Sequence, residues 1–414
     1  MATAVNAAIL LSTAISLAIA PRLTRHPDKG DAAPDGGGDA GERAAGARRW
    51  SWARPEPFLA FVVALVYLNQ VLFTVYVLRV HGGDASFIAK YLPEGWFALA
   101  DGPFMTGAAE RFPRPELLEP SVLRVQAFLE LPFVLLAYVT VLRWLDRGLY
   151  RRLARSWPVW AASVSYTFVF CAVEWDLRNP YTVDDIVIRV GSAAVTPLLI
   201  RWLAGQEEGE TGAPSFVRML LFAASAWALG HLVLTVYDTA LLYNLGHLGG
   251  RLPGAVAAVC VLAGARWASS RARPDAGAGV ALHSVVAGLR WALVLFFVPA
   301  LAVRYGPNVG APLVAAAAGL TVCLVAAACA LRDALAGEGR GRTALWAGQM
   351  VAALSVGGAA GYAAVLLVTD TYYEAGLLRG AGVSFAAVVA VCALTDRWIS
   401  RVSDVSETVR AERV

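Results

Sequence analysis

Apolar segments of about 20 residues recur along the whole chain, and no other feature restricts its fold as strongly. A helix needs about 20 mainly apolar residues to cross the hydrocarbon core of a bilayer. Backbone groups in lipid must be satisfied internally, and these segments are far too long for the strands of a membrane barrel. With 58% hydrophobic and 16% charged residues over 414 positions, the chain is predicted to be an all-α, multi-pass helical bundle in the cell membrane.

Eleven segments are predicted to cross the bilayer. They are residues 4–20, 58–80, 124–145, 158–177, 185–204, 216–242, 252–268, 279–303, 311–331, 345–368 and 378–395. Arginine-rich short loops favour the cytoplasmic side. Five arginines lie at or just after the end of the third segment, at positions 143, 147, 151, 152 and 155, and further groups lie at or after the ends of the seventh, the ninth and the last. This alternation predicts that the N-terminus lies outside and the C-terminus inside.

The distribution of apolar residues also predicts the domain organisation. Residues 1–20 are expected to form an N-terminal transmembrane anchor, and residues 21–57, rich in Gly, Asp and Ala, a disordered cytoplasmic linker. Residues 58–396 form the predicted membrane domain, and its connection 81–123 carries the aromatic and proline residues typical of a folded outer cap. Residues 397–414 are the predicted cytoplasmic tail.

Ionisable residues inside these apolar segments indicate a functional site, because a charge at membrane depth costs about 2.5–3.5 kcal/mol on insertion scales. Cys171 and Glu174 are three residues apart and therefore neighbours on one helix face. A thiol and a carboxyl in a dry pocket suit the removal and return of a proton. His231 and Asp238, in helical phase with Trp227 on another segment, are candidates for a second proton carrier.

The predicted catalytic residues are therefore Cys171, Glu174, His231 and Asp238. The residues predicted to bind the substrate are Glu130, Arg124, Gln70, Asn69, Asp185, Arg189, Trp227 and Tyr237. An internal ion-pair network and the capping of helix ends remain open as structural explanations for the charged members. No metal-ligand spacing and no phosphate-binding loop occurs, so neither a metal nor another cofactor is expected. The net charge of +4 is unremarkable and the arginines lie at helix ends, so no nucleic-acid partner is expected. The apolar segments make the lipid bilayer an expected partner.

Three stretches carry a resemblance to a known family. They are FLELPFVLLAYVTVLRWLDRGLYRRL (128–153), FCAVEWDLRNPYTVDD (170–185) and HLVLTVYDTALLYNLGHL (231–248). The chain resembles the polytopic H proteins of actinobacterial linaridin peptide clusters, of the cypemycin and grisemycin type. The resemblance implies a natural-product enzyme acting on a ribosomally made precursor peptide, by cofactor-independent epimerisation of L- to D-residues. It also implies two partners, the precursor peptide and a second membrane protein from the same gene cluster.

Two other functions remain open. A lipid-linked glycosyltransferase would use acids of a large outer loop, and Asp84, Asp101 and Glu110 lie in residues 81–123. A transporter, or a membrane scaffold for biosynthetic partner enzymes, would use the same buried polar residues without chemical change.

The predicted orientation is tested by single cysteines in two connections. On intact cells, a membrane-impermeant thiol reagent should label Ser86→Cys in the outer cap and leave Ser156→Cys, after the basic loop, unlabelled. Both variants should label once the membrane is opened. Labelling of Ser156→Cys alone on intact cells would invert the topology.

Overall fold

The computed structural model describes residues 2–24, 53–89, 97–145, 147–178, 180–206, 216–271, 280–296, 312–335, 340–367 and 373–411. Within these ranges every regular element is helical, as the apolar segments predict. The helices are α1 (Ala2–Thr24), α2 (Pro55–His81), α3 (Ser86–Ala89), α4 (Pro103–Arg111), α5 (Glu119–Leu145), α6 (Arg147–Arg155), α7 (Trp157–Leu177), α8 (Thr182–Gly205), α9 (Phe216–Val236), α10 (Leu248–Arg271), α11 (Val280–Phe296), α12 (Pro312–Leu335), α13 (Arg340–Leu367) and α14 (Tyr373–Ala411). A π-helix, Tyr237–Leu241, directly continues α9.

Seven stretches of the described helices are long and apolar enough to cross a membrane. They are Pro55–His81, Ser121–Trp144, Thr182–Gly205, Leu245–Ala268, Leu313–Arg332, Ala344–Leu367 and Leu378–Asp396. Helices α6 and α7 make an eighth if the pair, bent by 69°, is one span. The segments predicted at 4–20, 216–242 and 279–303 coincide with α1, α9 and α11, which do not meet the same criterion over the described residues. A count of eleven and the N-out, C-in orientation therefore remain predictions.

The described residues include only part of the predicted linker and cap. Most of the predicted linker, residues 25–52, lies outside the described residues, and so do cap residues 90–96. The N-terminal helix α1 packs against α7 and α12 through Val5, Ala8 and Ile9. At the other end, α14 continues as one helix to Ala411, so the predicted tail is helical up to that residue.

Helices α13 and α14 pack closely because both present glycine at their contact. A Cβ atom added to Gly361 would lie 2.7 Å from the carbonyl oxygen of Gly380, and one added to Gly357 would lie 2.9 Å from the carbonyl oxygen of Ser384. Small residues four apart are typical of helix pairs that approach closely in membranes.

The core of the bundle is built on α5, α7 and α8, and a proline in α5 helps to join two of them. Pro132 has no N–H group, so the carbonyl of Phe128, four residues earlier, lacks its intrahelical donor. The hydroxyl of Ser192 on α8 donates to that carbonyl oxygen at 2.8 Å. The carbonyl oxygen that Pro132 leaves without a donor in α5 therefore accepts its hydrogen bond from α8.

The same arrangement joins α8 to α7. Pro197 leaves the carbonyl of Ala193 without an intrahelical donor, and the hydroxyl of Ser163 on α7 donates to it at 2.8 Å. These two hydrogen bonds, each to a carbonyl that a proline leaves unpaired, fix the positions of α5, α8 and α7 relative to one another along their axes.

The connection between α2 and α5 is anchored to the link between α9 and α10. The N–H of Ala98 donates to Asn244 Oδ1 at 2.9 Å, and the N–H of Gly246 donates to the carbonyl oxygen of Ala98 at 3.2 Å. Arg79, near the end of α2, donates to the carbonyl oxygens of Ala109 and Glu110 at the end of α4, at 2.8 and 2.7 Å. A cation stabilises the C-terminus of a helix, so the guanidinium of Arg79 attaches the end of α4 to α2.

The proline–serine pair of α5 and α8 is tested by a double-mutant cycle. Ser192→Ala should lower the free energy of unfolding by about 1–3 kcal/mol, because the buried carbonyl of Phe128 loses its donor. In a Pro132→Ala background the new N–H group at position 132 satisfies that carbonyl, so Ser192→Ala should cost much less. Unfolding in detergent measures both, and Ser355→Ala, on the exposed face of α13, is the control. Equal losses in the two backgrounds would contradict this role for Ser192.

Candidate functional site

A buried arginine between two carboxylates forms the polar centre of the bundle. Arg189 on α8 places Nη1 2.5 Å from Glu130 Oε2 on α5 and Nη2 3.2 Å from Glu174 Oε1 on α7. Its guanidinium carbon lies 4.5 Å from the ring centroid of Phe170, a cation–π contact. The hydroxyl of Tyr237 donates to Glu130 Oε1 at 2.5 Å. Three helices and the π-helix therefore converge on one group, here named the Arg189 cluster (Glu130, Glu174, Asp185 and Arg189).

The connection between α7 and α8 explains why Glu174 and Arg189 meet. Arg178 ends α7 in the left-handed conformation, with φ of 48°, and its N–H donates to the carbonyl oxygen of Glu174. The chain reverses there, and α8 begins at Thr182, whose hydroxyl donates to the same carbonyl at 3.2 Å. Glu174 lies about one turn before the end of α7 and Arg189 about two turns into α8. Side chains tilt towards the N-terminus of their helix, so Glu174 reaches away from the connection, Arg189 reaches towards it, and the two meet.

Asp185 adds a further carboxyl one turn before Arg189. It is 8% exposed, and within the described part of the chain its Oδ1 atom has no hydrogen-bond partner. Arg189 Nε is likewise a buried donor without a partner there. With all three carboxyls ionised, the cluster would carry a formal charge of minus two. Buried charges are costly unless they are compensated, and Arg189 is one cation for the three carboxyls of the cluster.

Cys171 lies one turn before Glu174 on the same face of α7 and is half-buried. Glu174 and Arg189 are both within electrostatic range of its thiol. Of the residues predicted for the site, the structure thus brings together Cys171, Glu174, Glu130, Arg189, Asp185 and Tyr237.

Asp238 belongs to a second polar group. It is 1% exposed and accepts from Arg251 Nε at 2.7 Å, with His247 Nδ1 at 3.4 Å and Asn244 Nδ2 at 3.5 Å. Tyr237, its neighbour in the π-helix, contacts Glu130 instead. The π-helix therefore connects the two polar groups, and π-turns inside helices occur frequently at functional sites.

His231 and Trp227 lie on a different side of α9. Their rings meet edge to face with centroids 4.3 Å apart, and Trp227 Nε1 donates to the carbonyl oxygen of Leu378 on α14 at 3.0 Å. His231 Nε2 is buried without a hydrogen-bond partner among the described residues. In a regular α-helix, Trp227, His231 and Asp238 would lie on one face. The π-helix that begins at Tyr237 has a wider turn, which rotates the following side chains, and Asp238 contacts Arg251 instead.

The amides predicted to bind substrate lie within helix contacts. Asn69 Nδ2 donates to the carbonyl oxygen of Val122 at 2.7 Å and to Gln126 Oε1 at 3.0 Å. Gln126 Nε2 donates in turn to the carbonyl oxygen of Ala240 at 3.0 Å, so this chain joins α2, α5 and the π-helix. Gln70 is fully buried; its Oε1 has no partner in the described ranges.

The remaining charged candidates are near the surface. Arg124 pairs with Asp184 at 2.6 Å, and both side chains are 47% exposed, so this pair adds little stability. Asp84 accepts from the N–H and the hydroxyl of Ser86, both at 2.8 Å, and these hydrogen bonds hold the pKa of Asp84 below its usual range. Among the described residues, no group of three or more His, Cys, Asp or Glu is arranged to hold a metal ion.

Comparison with family models, with curated proteins and with solved structures returned no match.

Substitution of each arginine compares the stability contributed by the buried ion pairs of Arg189 with that of the exposed pair Arg124–Asp184. Arg189→Met should lower the free energy of unfolding by about 3–5 kcal/mol, because Glu130 and Glu174 remain buried without a cation. Arg124→Met, on the exposed pair, should cost about 0–1 kcal/mol. Adding Glu130→Gln and Glu174→Gln to Arg189→Met should restore accumulation in the membrane. Similar effects of the two arginine substitutions would show that the Arg189 cluster is not the stabilising contact.

Proposed function

We propose that the protein is a membrane-embedded enzyme that converts L-residues of a ribosomally made precursor peptide to D-residues by acid/base proton transfer. The observation that carries this proposal is the excess of buried carboxyls around Arg189, beside the thiol of Cys171. Ionisable groups buried together in a membrane helix bundle are costly, and they are typical of proton-handling sites.

Epimerisation needs a base that removes the Cα proton from one face and an acid that returns a proton to the other. Cys171 and Glu174 supply the first proton carrier, since they are neighbours on α7. Glu174 pairs with Arg189, and Arg189 also acts electrostatically on the Cys171 thiol. The electron pair left at Cα moves into the adjacent carbonyl, whose oxygen becomes an enolate. The unpartnered N–H of Arg189 Nε is a donor able to stabilise that oxygen, which is the role of an oxyanion hole.

The resemblance to linaridin H proteins supports the same site. Residues 128–153 supply Glu130, residues 170–185 supply Cys171, Glu174 and Asp185, and residues 231–248 supply Tyr237. These three separate stretches carry the resemblance, and their polar residues meet around Arg189.

A second candidate is a transporter that binds protons or a cationic solute at the Arg189 cluster. The two carboxylates on one guanidinium, with the buried carboxyl of Asp185 one turn before Arg189 on α8, favour it, because such groups also form proton relays in membrane transporters. Uptake of a solute by proteoliposomes, with no chemical change in an added peptide, would support this candidate over the first.

The proposed reaction is tested in D₂O with membranes containing the full-length protein and an all-L linaridin precursor peptide. Each inverted residue should gain one deuterium at Cα, detected by mass spectrometry, and chiral analysis of the hydrolysed peptide should find D-residues. Cys171→Ala and Glu174→Gln should each lower the rate about 10²- to 10⁴-fold, the usual contribution of a general acid or base.

The matched controls are Cys260→Ala and Glu116→Gln, which change exposed side chains away from the cluster and should leave the rate unaltered. Full activity of both cluster variants would remove Cys171 and Glu174 from the mechanism. D-residues formed without deuterium would rule out carriers that exchange with water.

A further inference from the structure

Helix α6 carries apolar side chains on one face and arginines on the other. The apolar side chains are 0–1% exposed: Leu149, Tyr150, Leu153 and Ala154. Their spacing of one, three and one residues keeps them together on one side of a helix. Three of the four arginines of α6 are exposed: Arg147, Arg152 and Arg155. The helix is therefore amphipathic, and its cationic face is directed away from the bundle.

Helix α6 crosses one end of the bundle. The bend between α6 and α7 is 69°, and α6 packs against α5 and α8 as well as α7. Two candidate membrane spans, Ser121–Trp144 and Thr182–Gly205, end beside it, and Arg155 Nη2 donates to the carbonyl oxygen of Ala204 at 3.2 Å. A helix that crosses the ends of membrane spans lies where the hydrocarbon core gives way to the lipid headgroups.

Exposed tryptophans mark the same level of the bundle. Trp157 begins α7 directly after α6 and is 51% exposed, and Trp202, near the end of α8, is 45% exposed. The ring of Trp202 meets Phe58 edge to face, with centroids 5.8 Å apart, so the start of α2 lies here as well. Tryptophan is enriched where a membrane meets water, because its ring is apolar and its N–H is polar. The cationic face of α6 is therefore at the depth of the headgroups.

Further exposed arginines lie at this end of the bundle. Arg54 directly precedes α2, and Arg201 is near the end of α8. Glu56, in the first turn of α2, is already paired, since its Oε1 accepts from Arg143 Nη1 at 2.6 Å and from Trp144 Nε1 at 2.9 Å. The exposed arginines together form a cationic surface, here named the α6 surface (Arg54, Arg147, Arg152, Arg155 and Arg201).

We propose that the α6 surface binds the phosphate headgroups of anionic phospholipids. Guanidinium groups donate paired, charge-assisted hydrogen bonds to phosphate oxygens. A basic amphipathic helix at the membrane interface is also attracted electrostatically by anionic lipids. The exposed tryptophans at the same depth favour a lipid over an acidic protein, because a partner in water would leave their apolar rings without a matching environment.

The α6 surface is separate from the Arg189 cluster. Trp157 begins α7 beside α6, and Glu174 lies 17 residues farther along the same helix. At 1.5 Å per residue, these two positions are about 26 Å apart along the helix axis. Lipid binding at the α6 surface therefore does not depend on the epimerisation proposed for the cluster.

Native mass spectrometry of the full-length protein in a neutral detergent measures this binding in a titration with dioleoylphosphatidylglycerol. The anionic lipid should bind more tightly than dioleoylphosphatidylcholine, and more ammonium acetate should weaken it, because exposed charges are screened. Arg147→Gln with Arg152→Gln should lower its affinity about 25-fold, at about fivefold for each arginine near an anionic surface. The matched control, Arg111→Gln with Arg114→Gln, removes two exposed arginines between α2 and α5 and should leave the affinity unchanged.

Equal affinity of the parent protein for the two lipids, or unchanged affinity of the α6 pair of substitutions, would overturn the proposal. An equal loss in the control pair would also overturn it, because binding would then follow total charge. Displacement of the lipid by inorganic phosphate at the same concentration would reject a lipid site, and tighter binding of a polyglutamate peptide would assign the surface to an acidic partner. If the α6 pair does not accumulate in the membrane, Arg54→Gln with Arg201→Gln provides the same test on the same surface.

Discussion

The ion pairs of Arg189 with Glu130 and Glu174 are the constraint on which the rest of the bundle depends. Breaking a buried ion pair leaves an uncompensated charge, so the contacts of Arg189 with Glu130 and Glu174 require α5, α7 and α8 to meet at one depth. The hydroxyls of Ser192 and Ser163 reinforce that alignment, since each satisfies a carbonyl that a proline leaves unpaired in the adjacent helix. Packing and polar pairing therefore specify the same arrangement of three helices.

The polar atoms around Arg189 differ in whether they already have hydrogen-bond partners. Glu130 has both oxygens engaged, by Arg189 and by Tyr237, and so is best suited to hold the guanidinium in place. Arg189 Nε and Asp185 Oδ1 are a buried donor and a buried acceptor without partners in the described structure. Such groups are uncommon in folded proteins, and each calls for a functional or structural reason. A substrate that supplies a carbonyl oxygen and an N–H group would match both.

The connections outside the apolar helices complete the site. The left-handed residue Arg178 allows the sharp reversal that pairs α7 with α8. On the other side, hydrogen bonds from the N–H groups of Ala98 and Gly246 join the connection between α2 and α5 to the link after the π-helix. Segments that are distant in sequence thus bring their polar residues to one location.

The sequence by itself determined the helical class, because apolar runs of about 20 residues are a local property and lipid leaves a backbone few alternatives. It also identified Glu130, Glu174 and Cys171 as candidates, since each is an ionisable residue inside an apolar segment, and this can be read from the neighbouring residues alone. Only the tertiary structure decided which carboxyls share Arg189 and where the π-turn directs Asp238. These features depend on contacts between helices and on a local change of helical register, and neither is encoded in the periodicity of a single segment.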